Sequence, residues 1–144
     1  IAETEEIWTA YWRLYTRCAG SGYFDFIAHP DLPKKFGHTP EGDLRRFYEP
    51  AIEAASSSGT AIEINTSGWH KHCAEQYPAR QFLEMMNAAG IPLVVSSDAH
   101  APDHVGRDFE RAVGLALDTG FTHSARFEKR EKTLVELPFT ASAS

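Results

Sequence analysis

The stretch Ile91-Pro92-Leu93-Val94-Val95-Ser96-Ser97-Asp98-Ala99-His100 is an apolar, β-branched run that ends abruptly in polar residues. A run of this length, preceded by a glycine, is typical of a buried parallel strand. In α/β folds and barrels, the carboxyl ends of the strands carry the functional site. The sequence therefore predicts that Asp98 and His100 lie at the rim of a sheet. A solvated turn after the strand is the alternative interpretation of the same triplet.

Two further segments predict strands with a similar ending. Residues 24–31 end in His29 beside an Asp, and residues 60–65 end in Asn65. Apolar residues at helical spacing lie around these strands, at 3–19, 44–55, 77–89 and 105–117, and weaker strand patterns lie at 125–127 and 133–137. Strand and helix alternate three times, which predicts an α/β fold with a parallel sheet or barrel.

Local signals predict some details of the helices and loops. The aromatic stripe of the first helix indicates core packing, and Thr4 is a candidate cap for that helix. Pro50 lies in the middle of the second helix, where the missing N–H predicts a kink or a restart. Residues 32–40 are polar and predict a solvated connection.

The three strand ends bring together residue types that bind metal ions or phosphate. They are His29, then Glu63 and Asn65, then Asp98 and His100. Imidazole and carboxylate ligands suit zinc, manganese or iron. Glu63 alternates with Ile62 and Ile64, so its carboxylate faces the opposite side of the strand and needs a partner there. The pattern indicates a metal-assisted hydrolase.

Composition limits the classes of partner. The chain has 144 residues and a net charge of -6, which argues against general nucleic-acid binding and against an anionic membrane surface. Two cysteines without C-x-x-C spacing favour reduced thiols in a cytoplasm over a disulfide. Neither a membrane-spanning stretch nor a signal peptide is apparent. The chain begins at Ile1 within a helical pattern, so we expect it to be a piece of a longer protein.

Three segments together resemble one family. They are residues 25–37 (DFIAHPDLPKKFG), residues 62–68 (IEINTSG) and residues 97–100 (SDAH), and the pattern extends to Val105-Gly106. In this order they resemble the PHP (polymerase and histidinol phosphatase) superfamily, and its histidinol-phosphatase branch most closely. The resemblance implies a metal-dependent phosphoesterase that hydrolyses a phosphate monoester such as histidinol phosphate.

The resemblance also implies a fold and a set of site residues. The fold would be a distorted (β/α)7 TIM-like barrel with up to three divalent ions, Mn, Zn or Fe, at its rim. His29, Asp98 and His100 would be metal ligands, with Asp98 and His100 also catalytic. Lys35 and His70 would bind the substrate phosphate. Glu63 and Asn65 would form a supporting shell.

The sequence departs from the family pattern at two places. His70 stands where the family usually has an arginine, so one imidazole replaces a bidentate fork. The first-strand His-x-His pair of the family is absent, and His70-Lys71-His72 has that spacing in another place. We therefore expect residues 1–138 to be the C-terminal portion of a PHP domain, incomplete and inactive alone. Residues 139–144 are expected to be a disordered tail.

Two other functions fit the same pattern. The chain could be the PHP module of a DNA polymerase or nuclease, although the acidic balance and the loop after His29 argue against it. It could also be a non-catalytic half-barrel that binds partners, either the missing N-terminal half or a second copy, through open sheet edges. A small phosphorylated substrate remains the favoured partner.

Overall fold

The computed structural model describes residues 2–97, 102–104 and 106–138, and a parallel sheet lies at its centre. Its strands are β1 (Phe26–Ile27), β2 (Ala61–Asn65) and β3 (Leu93–Ser96), in the order β1-β2-β3. All neighbouring pairs are parallel. The predicted α/β class with a parallel sheet is confirmed, whereas closure into a barrel stays a prediction.

Within the residues that the structure describes, four α-helices and three short 3₁₀ helices surround the sheet. The α-helices are α1 (Ala2–Gly20), α2 (Arg45–Ser58), α3 (Arg80–Ala88) and α4 (Phe109–Asp118), and the 3₁₀ helices are Leu32–Phe36, Thr66–His70 and Pro102–His104. The order strand, helix, strand, helix follows the predicted alternation. Each long connection between parallel strands therefore contains a helix, as parallel pairing requires.

The core lies between one face of the sheet and the helices. Alternate strand residues, among them Ile62 and Ile64, are fully buried and belong to this core. The rings of Trp12, Tyr48 and Phe82 pack together, with centroids 5.2–5.5 Å apart. Such aromatic pairs each add about 0.5–1.5 kcal/mol beyond the area that they bury. The prediction that the aromatic stripe of the first helix packs in the core is confirmed.

A hairpin follows α4 and forms a second sheet. Its strands β4 (His123–Glu128) and β5 (Glu131–Glu136) are antiparallel, as the weak strand patterns of the tail predict. Lys129 and Arg130 form the turn, and both have positive φ, 50° and 66°. Positive φ at both central residues is typical of the tight turns that match the twist of a hairpin.

The tip of the hairpin is attached to the chain just before β1. Arg130 donates to the carbonyl oxygens of Tyr23, at 3.1 Å, and Gly22, at 3.4 Å. The ring of Phe127 stacks on that of Phe26, with centroids 6.1 Å apart. These contacts join the hairpin to the segment that leads into the parallel sheet.

Several predicted boundaries are wrong. Strand β1 has two residues instead of eight, and positive φ at His29 (26°) and Asp31 (57°) excludes extended backbone at the C-terminal end of the predicted strand. Thr4 lies inside α1 and is not its cap. Helix α2 continues through Pro50 without a restart, so the missing N–H costs one hydrogen bond but does not end the helix. A 3₁₀ turn precedes α4, which begins only at Phe109.

Other predictions concern the thiols, the tail and membranes. Both cysteines are free thiols. The predicted tail, residues 139–144, lies outside the described residues, as do Asp98 and His100. Among the described helices, none combines the length and the apolar composition needed to cross a bilayer.

Candidate functional site

The carboxyl ends of the three parallel strands lie at one edge of the sheet. His29 follows β1 by two residues, Asn65 ends β2, and Asn65 is paired in register with Ser96 at the end of β3. The parallel sheet thus places His29 and Asn65 at a common rim. Asp98 and His100 follow β3 but lie outside the described residues, so their position stays a prediction.

His29 is fixed through its backbone. Its N–H donates to Glu63 Oε1 at 2.9 Å, and its carbonyl accepts from the Tyr11 hydroxyl at 3.0 Å. Burial, followed by the negative charge of Asp31, raises the pKa of Tyr11 well above its usual value, so the hydroxyl keeps its proton. The buried Nδ1 of His29 has no hydrogen-bond partner within the described part of the chain. Such an orphaned nitrogen is what a metal ligand presents before its ion binds.

Glu63 has the partner that the sequence argument requires. The side chain is buried on the strand face opposite to Ile62 and Ile64. Its Oε1 accepts from the backbone N–H of His29 and from Asn65 Nδ2, both at 2.9 Å. Asn65 in turn accepts at Oδ1 from the backbone and hydroxyl of Ser67, at 3.0 and 2.7 Å. Glu63 and Asn65 therefore link β2 to the segment that carries His29.

An open groove lies beside this rim. It has a volume of about 360 Å³ and is lined by Lys35, Phe36, His70, Lys71 and His72. The two predicted phosphate-binding residues, Lys35 and His70, thus line the same groove, although binding itself stays a prediction. His70 Nε2 lies 2.5 Å from Asp108 Oδ2, and this contact fixes the orientation of the imidazole.

The loop after His29 contains a buried ion cluster that the sequence did not indicate. Lys34 is 4 % exposed, so the prediction of a solvated connection is wrong at this residue. Its ammonium lies 2.9 Å from Asp31 Oδ2 and 2.5 Å from Glu75 Oε1, and it donates to the carbonyl of Gln76 at 2.8 Å. Lys34 and Lys35 are identical in type, and only the i,i+3 spacing from Asp31 distinguishes them in the sequence.

Asp31 is the fully buried member of this cluster. Burial raises its pKa to about 7, against the lowering effect of the Lys34 ammonium and of the Ala79 N–H. That N–H donates to Asp31 Oδ2 at 2.9 Å, whereas Oδ1 has no partner among the described atoms. Asp31 thus connects the loop after β1 with the start of α3.

The described residues do not hold a metal site by themselves. Within residues 2–97, 102–104 and 106–138, no three His, Cys, Asp or Glu side chains are grouped closely enough to bind an ion. Of the three predicted ligands only His29 belongs to these ranges. Its orphaned Nδ1 fits a metal ligand, and the remaining donors would come from residues outside the ranges.

Comparison with known proteins identifies similar chains. No protein-family model matches. A Deinococcus radiodurans protein named "Probable histidinol-phosphatase" is 40% identical over 125 residues, which is 83% of this chain and 47% of that protein. The predicted resemblance to histidinol phosphatases is confirmed. A Schizosaccharomyces pombe protein of the same name is 32% identical over 111 residues, 75% of this chain and 36% of its own length.

A third relative shows the same partial coverage of a histidinol-phosphatase-like protein. The Thermotoga maritima protein of that name is 30% identical over 91 residues, 62% of this chain and 39% of its own length. The chain therefore spans less than half the length of each of these three relatives. Its similarity to histidinol phosphatases covers most of the chain but only part of the relatives.

Proposed function

We propose that this chain is part of a metal-dependent phosphomonoesterase of the PHP superfamily, with histidinol phosphate as substrate and a cytoplasmic location. The observation that carries the proposal is the 40% identity, over 83% of the chain, to a protein named for this activity. The cationic groove beside the strand ends supports it, because a phosphate monoester is an anion that such a groove attracts.

The groove offers donors for one phosphate group. Lys35 supplies an ammonium and His70 an imidazole, and the lining residues that the structure describes include no carboxylate. Asp108 holds His70 through Nε2, which leaves the other ring nitrogen for the substrate. The imidazole of His70 stands where the family usually has an arginine, which can donate two hydrogen bonds to one phosphate. We therefore expect Lys71 and His72 to contribute to phosphate binding as well.

The metal site of the proposal consists of His29, Asp98 and His100, for Mn, Zn or Fe. The support from the structure is the buried, unpartnered Nδ1 of His29 at the rim. A divalent ion bound there would supply Lewis acidity for phosphoryl transfer to water. Glu63 and Tyr11 hold the backbone of His29 and thereby fix the position from which its side chain extends.

The sheet has an edge that the rest of a barrel would cover. Beside β1, Tyr23, Phe24 and Phe26 are 79%, 51% and 40% exposed. An edge strand with exposed aromatic residues tends to pair with another strand or to associate with another chain. Because the relatives are more than twice as long as the matched region, we propose that this edge pairs with the part of the fold outside this chain.

The isolated chain is expected to release little or no phosphate from histidinol phosphate, even with excess Mn or Zn. The reason is that three ligands would not complete a cluster of up to three ions. Joining the chain to the N-terminal part of the Deinococcus radiodurans relative is expected to restore hydrolysis. Phosphate release by the two proteins is the measurement.

Variants of this chimera test the groove. Lys35→Met removes a cation from the phosphate, so we expect KM to rise about tenfold, which equals the loss of one charge-assisted hydrogen bond. Lys132→Met, on the exposed face of β5, is the matched control and should leave KM unchanged. A chimera that hydrolyses no phosphate monoester, or equal KM values for the two variants, would contradict the proposal.

A further inference from the structure

Two segments that are distant in sequence form the walls of the groove. Lys35 and Phe36 belong to the 3₁₀ helix Leu32–Phe36, and His70, Lys71 and His72 come from the segment after β2. No strand pairing holds the first wall against the second, because the described ladders end before both segments. The spacing of the walls must therefore depend on side chains.

Lys34 connects the first wall with the segment that follows the second wall. Within its own segment its ammonium binds Asp31, and its carbonyl accepts from Gly37 N at 2.7 Å, which closes the 3₁₀ helix. Across the gap the ammonium binds Glu75 Oε1 and the carbonyl of Gln76. All three donor positions of the ammonium are thus used, one on the first wall and two on the segment that follows the second.

The contact continues from Gln76 into the second wall. Gln76 Oε1 accepts from Trp69 Nε1 at 3.1 Å, and its Nε2 donates to the carbonyl of Pro78 at 3.1 Å. Trp69 directly precedes His70 in the 3₁₀ helix Thr66–His70. A chain of hydrogen bonds therefore runs from Lys34 through Gln76 to the residue next to His70.

Adjacent lysines have divided roles in this arrangement. Lys35 lines the groove, whereas Lys34 points away from it into the protein and is 4 % exposed. A buried ammonium requires partners for its charge, and the three that it has are all on the elements that form or support the walls. If the only role of Lys34 were to neutralise the charge of Asp31, its contacts with Glu75 and Gln76 would not be needed.

We propose that Lys34 is a positioning residue that holds the two walls of the groove at the spacing that accepts one phosphate group. The proposal rests on the proposed function, since it assumes that the groove binds phosphate. Lys34 does not touch the phosphate. Its ammonium acts through the backbone of Gln76 and the carboxylate of Glu75 on one side, and through Asp31 on the other.

The test is binding of inorganic phosphate to the 144-residue chain, followed by NMR through the imidazole resonances of His70 and His72. Lys34→Met is expected to weaken binding by about tenfold and to shift both resonances before phosphate is added, because small displacements of binding groups have effects of this size. Each titration is made well below the unfolding temperature of the variant, so that unfolded protein does not contribute.

Two further variants separate positioning from stability. Glu75→Gln removes one ion pair at a side chain that is 43% exposed, so the chain should fold, and phosphate binding should weaken in the same direction. Met86→Ala deletes a fully buried side chain of α3 outside the groove, so it should lower the unfolding temperature and leave phosphate affinity unchanged.

The outcomes distinguish this proposal from the one on which it rests. If the unsubstituted chain binds phosphate and the folded Lys34→Met and Glu75→Gln variants bind it equally well, the positioning role is overturned and the groove remains a phosphate site. If the unsubstituted chain binds no phosphate, the groove assignment and the positioning role are both overturned. Weakened binding in both variants, with Met86→Ala unchanged, supports the positioning role.

Discussion

Gly68→Ala is expected to destabilise the chain by about 3 kcal/mol, the upper range for a core that is overpacked by one methyl group. A Cβ at this position would lie 2.1 Å from the carbonyl oxygen of Glu75 and 3.2 Å from the ring of Tyr77. The obstacle is backbone, so a change of rotamer does not relieve it. The segment 74–77 would have to move away from the 3₁₀ helix Thr66–His70, and the groove wall would move with it.

A second glycine provides the matched control. Gly114 lies inside α4 and has open space around its Cβ position, so Gly114→Ala should stabilise the chain by about 0.5–1 kcal/mol through helix propensity. Urea denaturation of the two variants measures both effects. If the urea midpoints of both variants shift in the same direction, or if the midpoint of Gly68→Ala is unchanged, the close approach of Gly68 to Glu75 is wrong.

Asp98→Asn is expected to reduce turnover of the active chimera by orders of magnitude. The substitution keeps the shape of the side chain but removes the anionic charge that would bind a divalent ion. Because such an ion supplies the Lewis acidity of the reaction, the loss should appear in kcat and in bound metal together. Folding should change little, since Asp98 is predicted at the rim of the sheet and not in the core.

Asp103→Asn is the control for that experiment. Asp103 is exposed in the 3₁₀ helix Pro102–His104. The substitution removes the same negative charge as Asp98→Asn, at a position five residues further along the chain. We expect its turnover and metal content to remain within a few-fold of the unsubstituted chimera. Full metal content and full rate for Asp98→Asn would refute the metallophosphatase interpretation of the central strand.

The parallel sheet could be predicted because its signals are local. Ile62 and Ile64 alternate with polar residues, Leu93 to Val95 form an apolar run, and helical spacing separates the two segments. Burial of Ile62, Ile64 and Leu93 follows from the pattern itself, since apolar residues at such periods fit one face of a strand or helix. Trp12 is buried for the same reason. Val94 and Val95 are half-buried, so the prediction of a fully buried central strand is wrong at these two residues.

The groove and its support could be predicted only in part. Lys35 and His70 come from a resemblance, and the structure places them in one groove. The burial of Lys34 depends on Glu75, which is 41 residues away in the sequence, and no local pattern encodes such a contact. The short first strand likewise depends on the positive φ of His29, which the hydrogen bonds from Tyr11 and to Glu63 stabilise in the folded chain.

The attachment of the hairpin tip has a consequence for the order of folding. Arg130 and Tyr23 are 107 residues apart, so their contact closes most of the chain into a loop, whose entropy cost grows with loop length. The helices and the β-strand pairs with shorter connections can form earlier, and the hairpin docks after them. Hydrogen exchange measures this, because the amides of β4 and β5 should exchange faster than those of β2. The hairpin would then separate from the segment before β1 first when the protein opens.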